Sequence, residues 1–318
     1  MYASMTVICN HSIELWKGTL MLNKTMKQLM PAAASAALLI SAGVEAHATT
    51  INLAVASNFY GTNYPTTSAI ADIITAFQAA NSGYSVVVTQ NGSSGTLENQ
   101  ITGGNALNVD LFLSADQSHP LDLYNNHPTL VDGIPFDYAV GTLAFWSNGS
   151  VDVTPGYAGH TYTSIAAATP TLAPYGEATL EYLQNQIGAT TTYPSTFVVY
   201  TNIDLVYAAV NAGTQPAGFV ALSSICNNGA YPTKGSVRAY PAGEFTPASG
   251  FSNYSGNLAN QGTYKNNTNA IIQAGIPVIR PSASPRTTAQ ETELQAFISY
   301  LSSSSTTSTL KKYCYAGP

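Results

Sequence analysis

Small hydroxyl and amide residues recur where apolar runs end. Ser57-Asn58 follows the run 51–56, Gly92-Ser93-Ser94-Gly95 follows Val86-Val87-Val88, and Thr201-Asn202-Ile203-Asp204 follows the run 197–200. At the start of a helix such residues sit beside unpaired N–H groups that carry partial positive charge, which makes an anion cradle. The cradle is neutral, because no Lys or Arg stands anywhere in residues 49–233. That excludes a P-loop, whose glycine-rich turn ends in a phosphate-binding lysine. A hydrogen bond to an ionised acceptor contributes about 1.5–3 kcal/mol, so several neutral donors can hold a dehydrated tetrahedral dianion reversibly. Singly, Ser and Asn here serve equally as helix caps, and Tyr175 in Pro174-Tyr175-Gly176 as part of a turn. Three such loops together point to binding.

Other chemistries fit less well. Beyond residue 48 the histidines are His119, His127 and His160, and Gly92-Ser93-Ser94-Gly95 is not the G-x-S-x-G of a nucleophile elbow. His119 and His127 each abut a proline in polar surroundings, where exposure is expected, so no enzyme and no catalytic residue is read. Asp110 and Asp116 have no His or Cys companion and fall short of the roughly six oxygens of a hard-cation site. A charged fraction of 8%, 45% hydrophobic residues and a net charge of −6 describe a folded chain without the basic patches that nucleic acid requires. The 20 tyrosines and a Ser/Thr/Asn-rich stretch at 227–269 leave a secreted surface or adhesion protein as a rival.

The elements that would carry these loops alternate. The run 51–56 reads as a strand, and Ala69, Ile70, Ile73, Ile74 and Phe77 recur at helical spacing. A second strand at 84–89, a helix from Leu97 and a third strand at 109–114 follow. Near Tyr138 a new register begins, with one strand over 139–146, a helix after Gly176, strands at 197–200 and 218–222 and a helix at 205–212. Residues 227–269 lose periodicity and read as a surface excursion or short β pieces. Order resumes at Pro277, and a helix covers 291–301. Strand–loop–helix units in series imply parallel sheets with ligand loops at the strands' carboxyl ends.

The N-terminus reads as an export signal. Lys24 and Lys27 precede the apolar run 30–44, and Ala46-His47-Ala48 offers a cleavage site, so residues 1–48 are expected to be removed, with Met21 or Met26 as alternative starts. The mature chain then keeps two cysteines. An exported protein with an even count points to a Cys226–Cys314 disulfide, two buried free thiols being the alternative.

Five motifs, Ala56-Ser57-Asn58-Phe59, Gly92-Ser93-Ser94-Gly95, Phe112-Leu113-Ser114-Ala115-Asp116, Ala173-Pro174-Tyr175-Gly176 and Gly218-Phe219-Val220-Ala221, stand in the order seen in periplasmic molybdate-binding proteins. The chain resembles that family over 51–221, and more loosely over 271–313. The resemblance implies an α/β fold of the two-lobe periplasmic binding protein type, with lobe I at 49–138 and 277–318, lobe II at 139–276, and the ligand between them. It implies Ser57, Asn58, Ser94, Tyr175 and the Ile203 backbone N–H as the ligand set. Ala221 and Leu222 stand where other members place a tyrosine, which resembles the subgroup that uses Asn and Tyr of the earlier loops. It also implies an extracytoplasmic monomer without a cofactor, which carries molybdate or tungstate to the membrane permease of an ABC transporter. Carriage of another small anion or polar solute is the alternative, and a secreted hydrolase stands further off.

Overall fold

A computed structural model describes residues 49–317 apart from 64, 159, 188–190, 227 and 241–270. The expected leader and most of the excursion therefore lie outside the described residues. Two five-stranded sheets organise the chain. The first has the order β2(Tyr84–Gly92), β1(Thr49–Ala56), β3(Leu111–Leu113), β10(Ile271–Pro277), β4(Phe136–Gly141). The second has the order β7(Phe197–Tyr200), β6(Ile165–Ala168), β8(Gly218–Ala221), β5(Leu143–Ser147), β9(Ser236–Tyr240). Strands β1, β2 and β3 run parallel, as do β6, β7 and β8, while β10, β4, β5 and β9 pair antiparallel. Each lobe is thus a mixed sheet flanked by helices, as expected of a two-lobe α/β protein.

Local chemistry sets the helix starts. Ser68 accepts the Ala71 N–H at 3.2 Å and opens α2(Ala69–Ala80). Asn202 does the same for Leu205 at 3.0 Å and opens α6(Ile203–Asn211). Thr287 and Gln290 form a reciprocal capping box at the start of α8(Thr288–Leu301). A four-residue turn, α1(Ser57–Tyr60), follows β1, and α3(Ser94–Thr102) starts three residues earlier than the apolar spacing alone places it. In the first lobe Ile51, Leu53 and Val55 face Ile70, Ile73, Phe77 and Phe297, and in the second Phe145, Phe219, Ala166 and Leu183 share one core. Among the described residues no helix is long and apolar enough to cross a membrane.

The lobe boundaries differ from those expected. The single strand expected over 139–146 is two, β4 and β5, in different sheets, so the chain changes lobe at Thr142 rather than after Tyr138. Both strands are buried at nearly every position, and the apolar pattern runs on without a break. At the other crossing β10 begins at Ile271, not Pro277, because Gln273 and Gly275 interrupt the apolar run although every position of the strand is buried. Part of the expected excursion is strand β9, paired with β5.

Candidate functional site

Four helices follow the ends of parallel strands, and each carries a residue singled out above in its first turn. Ser57 and Asn58 start α1 after β1, Ser94 starts α3 after β2, Ile203 starts α6 after β7, and Tyr175 is the second residue of α5(Pro174–Ile187), which follows β6. All five are at least 96% buried. Ser94 Oγ accepts the Ala115 N–H at 3.0 Å, which leaves its own proton to donate. Helix α1 of the first lobe, which Ser57 opens, packs against α6 of the second, which Ile203 opens. The lobes also touch beside Ser94, where the Gly95 N–H donates to the Leu172 carbonyl at 2.9 Å.

Tyr175 is placed by glycines. A Cβ on Gly176 would lie 2.5 Å from the Ala168 and Thr169 carbonyl oxygens, so only glycine lets the first turn of α5 press on the end of β6. A Cβ on Gly141 would lie 2.1 Å from the Tyr175 hydroxyl, so the phenol crosses over bare backbone at the lobe junction. Its oxygen accepts from Gln273 Nε2 at 3.3 Å and meets the Asn58 amide. With its acceptor side engaged, the Tyr175 proton is free for a ligand. Burial, then the neighbouring Tyr315, pushes this phenol well above its ordinary range, so it stays a donor. Gln273 is oriented in turn by Tyr138, whose hydroxyl lies 2.8 Å from the Ser114 carbonyl and 3.1 Å from Gln273 Oε1.

Of the expected set, the structure joins Asn58 and Tyr175 directly and brings Ser94 to the same network through Ala115 and Ser114. The sequence reading missed Gln273 and Tyr138; the one signal for Gln273 was a lone amide in an otherwise apolar run. Ala221 and Leu222 end β8 and open the short helix α7(Leu222–Ile225), with no tyrosine.

Charge lies beside the site rather than in it. His119 was expected exposed in a loop, but it is in α4(Ser118–Asn126), where Pro120 is tolerated in the first turn, and its side chain is 16% exposed. Its Nδ1 lies 2.7 Å from Asp116, and a Cβ on Gly95 would meet its Nε2 at 3.1 Å. Burial alone would lower the imidazole, but Asp116, then Glu98 and Glu177, overcome it and hold it up at about 9. Burial raises Glu98 and Glu177 to about 7, helped at Glu98 by Asp122 and then Asp116, helped at Glu177 by Asp116 and then Glu181, and opposed at both by His119. Asp204, in the first turn of α6, is raised to about 7 by burial. Asp110 belongs elsewhere, in an ion pair with Arg280 at the amino end of β3, and among the described residues no cluster of His, Cys, Asp and Glu can hold a metal ion.

These shifts set a pH dependence. Between 4.5 and about 7 the folded protein keeps protons on Glu98 and Glu177 that the unfolded chain releases, and between 6.5 and about 9 it keeps one on His119. A folded state that binds more protons loses stability as pH rises. The melting temperature without ligand is therefore expected to fall between about pH 5.5 and pH 9. A higher melting temperature at the alkaline end contradicts this.

Residues 54–316 match the family profile described as bacterial extracellular solute-binding protein. The molybdate-binding protein ModA of Azotobacter vinelandii is 32% identical over 192 residues, covering 58% of this chain and 69% of the relative. The ModA of Rhodobacter capsulatus is 33% identical over 199 residues, covering 62% and 74%. Among solved structures, the Azotobacter vinelandii periplasmic molybdate-binding protein superposes with a TM-score of 0.61 at 23% identity, covering 84% of this chain and 99% of that one. The sulfate-binding protein SubI of Mycobacterium tuberculosis superposes with a TM-score of 0.58 at 12% identity, covering 85% and 87%. These structural likenesses speak for the fold.

Proposed function

Because the chain belongs to the bacterial extracellular solute-binding proteins, we propose that it captures molybdate, and tungstate alike, between its lobes outside the cytoplasm and delivers it to an ABC-type permease. The observation that carries this reading is the buried set of neutral donors, Ser57, Asn58, Ser94, Tyr175 and the Ile203 N–H, at helix starts on both lobes. Oxyanion recognition asks for donors aimed inward without a fixed cation, so that the ion is held strongly yet released. Donors from both lobes couple binding to closure, and a closed shell is what a permease can distinguish from an empty one. In this reading the ion is cargo that leaves unchanged, with no cofactor and no reacting group. The protein acts as a monomer after removal of residues 1–48, which N-terminal sequencing of the exported form checks.

A second reading rests on Asn58 Oδ1, which is buried without a hydrogen-bond partner. An acceptor there suits an oxyanion that keeps a proton, such as hydrogen phosphate, better than a bare dianion. Thermal melting separates the two. At a hundredfold excess over its dissociation constant a ligand adds about 2.7 kcal/mol, and each kcal/mol raises the melting temperature by roughly 2–4 °C at this size. Molybdate and tungstate are expected to give such a shift, with sulfate and phosphate well below them. A shift with phosphate alone supports the second reading, and none with molybdate or tungstate refutes the first.

A further inference from the structure

The C-terminal tail enters the binding site. After α9(Thr307–Lys312) the chain turns at Cys314, whose φ is +57°, and Ala316 pairs with Val140 beside the lobe junction. Tyr315 is carried inward between these points. It is 3% exposed, and its ring meets Phe59 edge-on with centroids 5.4 Å apart. Its hydroxyl makes two bonds to Asn58, accepting from Nδ2 at 2.9 Å and donating to the carbonyl at 2.9 Å, and it also meets Ser223 and Gln273. A pair of bonds to both the side chain and the backbone of one residue fixes its rotamer as well as its position. That matters here because Asn58 lines a cavity of about 340 Å³ shared with Ser223, Ser224 and Tyr315, so without the phenol the amide has room to turn.

We propose that Tyr315 is a positioning residue of the binding site, fixing Asn58 at the start of α1, and through its amide the Tyr175 hydroxyl, before the anion arrives. The proposal rests on the molybdate reading above. Tyr315 also meets Gln273 and neighbours Tyr175, so it acts through the Asn58, Gln273 and Tyr175 network and not on the ion. The neighbouring Cys314, bonded to Cys226 of the second lobe, ties the tail at this place.

The test is a double-mutant cycle read in ligand affinity. Tyr315→Phe keeps the ring against Phe59 and removes both hydrogen bonds, so molybdate is expected to bind about tenfold more weakly, the size of one misdirected hydrogen bond to an ionised acceptor. In Asn58→Ala the same change at Tyr315 is expected to cost clearly less, only the contact with Gln273 being left to lose, whereas a merely structural role would weaken both backgrounds alike. Wild-type affinity in Tyr315→Phe, or full additivity with Asn58→Ala, overturns the proposal while leaving wild-type molybdate binding, and so the functional reading, intact. A second measurement needs no variant. In the unliganded wild-type protein the Asn58 side-chain amide is expected to exchange slowly with solvent by NMR, as befits a group held in advance, and rapid exchange there overturns the proposal too.

Discussion

Asp110→Ala is expected to destabilise the protein by about 3–5 kcal/mol, the usual cost of breaking a buried ion pair by removing one partner. Asp110 is fully buried. Its two oxygens take Arg280 in a forked pair, the Asn52 N–H at 2.7 Å, and Arg286 at 3.5 Å. The two guanidinium side chains are themselves only 8% and 7% exposed. Removing the carboxylate leaves Arg280 buried without its counter-charge and the Asn52 N–H unpaired. At roughly 2–4 °C per kcal/mol the melting temperature should fall by well over 5 °C. The residue lies at the amino end of β3, and the binding loops lie at carboxyl ends, so molybdate affinity at a temperature where the variant is folded should be unchanged. Differential scanning calorimetry with and without molybdate reads both, and an unchanged melting temperature contradicts the account.

Loss of the disulfide should weigh about as much. Cys226 and Cys314 are bonded across 88 residues of sequence. In the chain-entropy model a loop of that length is worth about 3–5 kcal/mol. The bond joins the end of α7, in the second lobe, to the tail packed on the first, where Gly229 N–H also donates to the Lys312 carbonyl at 2.8 Å. A Cys226→Ala, Cys314→Ala variant, or the wild type melted under reductant, should therefore unfold at markedly lower temperature. Equal melting of the oxidised and reduced protein rules this out.

Much of this was legible in the sequence because backbone chemistry announces itself locally. Gly95 and Gly176 mark places where backbone or a second lobe approaches closely, and Ser68, Asn202 and Thr287 mark helix starts. The five candidate site residues all lie at such starts, which is why short motifs single them out. What escaped was decided by distance in the chain. Gln273 and Tyr315 reach the site from the last fifth of the sequence, the first as a lone amide in a strand that otherwise reads as core and the second from the tail after α9. Thr142 does not look like a lobe crossing, because the strands on either side are buried on both faces and carry one unbroken apolar pattern. His119 looked exposed because its partners, Asp116, Glu98 and Glu177, come from three different elements that only the fold assembles.

The central claim is that hydroxyls at helix starts hold a tetrahedral oxyanion between the lobes, and calorimetric titration of molybdate into the wild type and Ser94→Ala tests it most directly. Ser94 lends the Ala115 N–H an acceptor and keeps its proton for the ligand, so its loss should leave one oxygen of the ion without a donor in a dry site. The wild type is predicted to bind one molybdate per chain, and Ser94→Ala to bind it roughly ten- to a hundredfold more weakly, a cost of about 1.5–3 kcal/mol. Equal affinity in the two proteins, or no binding heat from the wild type, would contradict it.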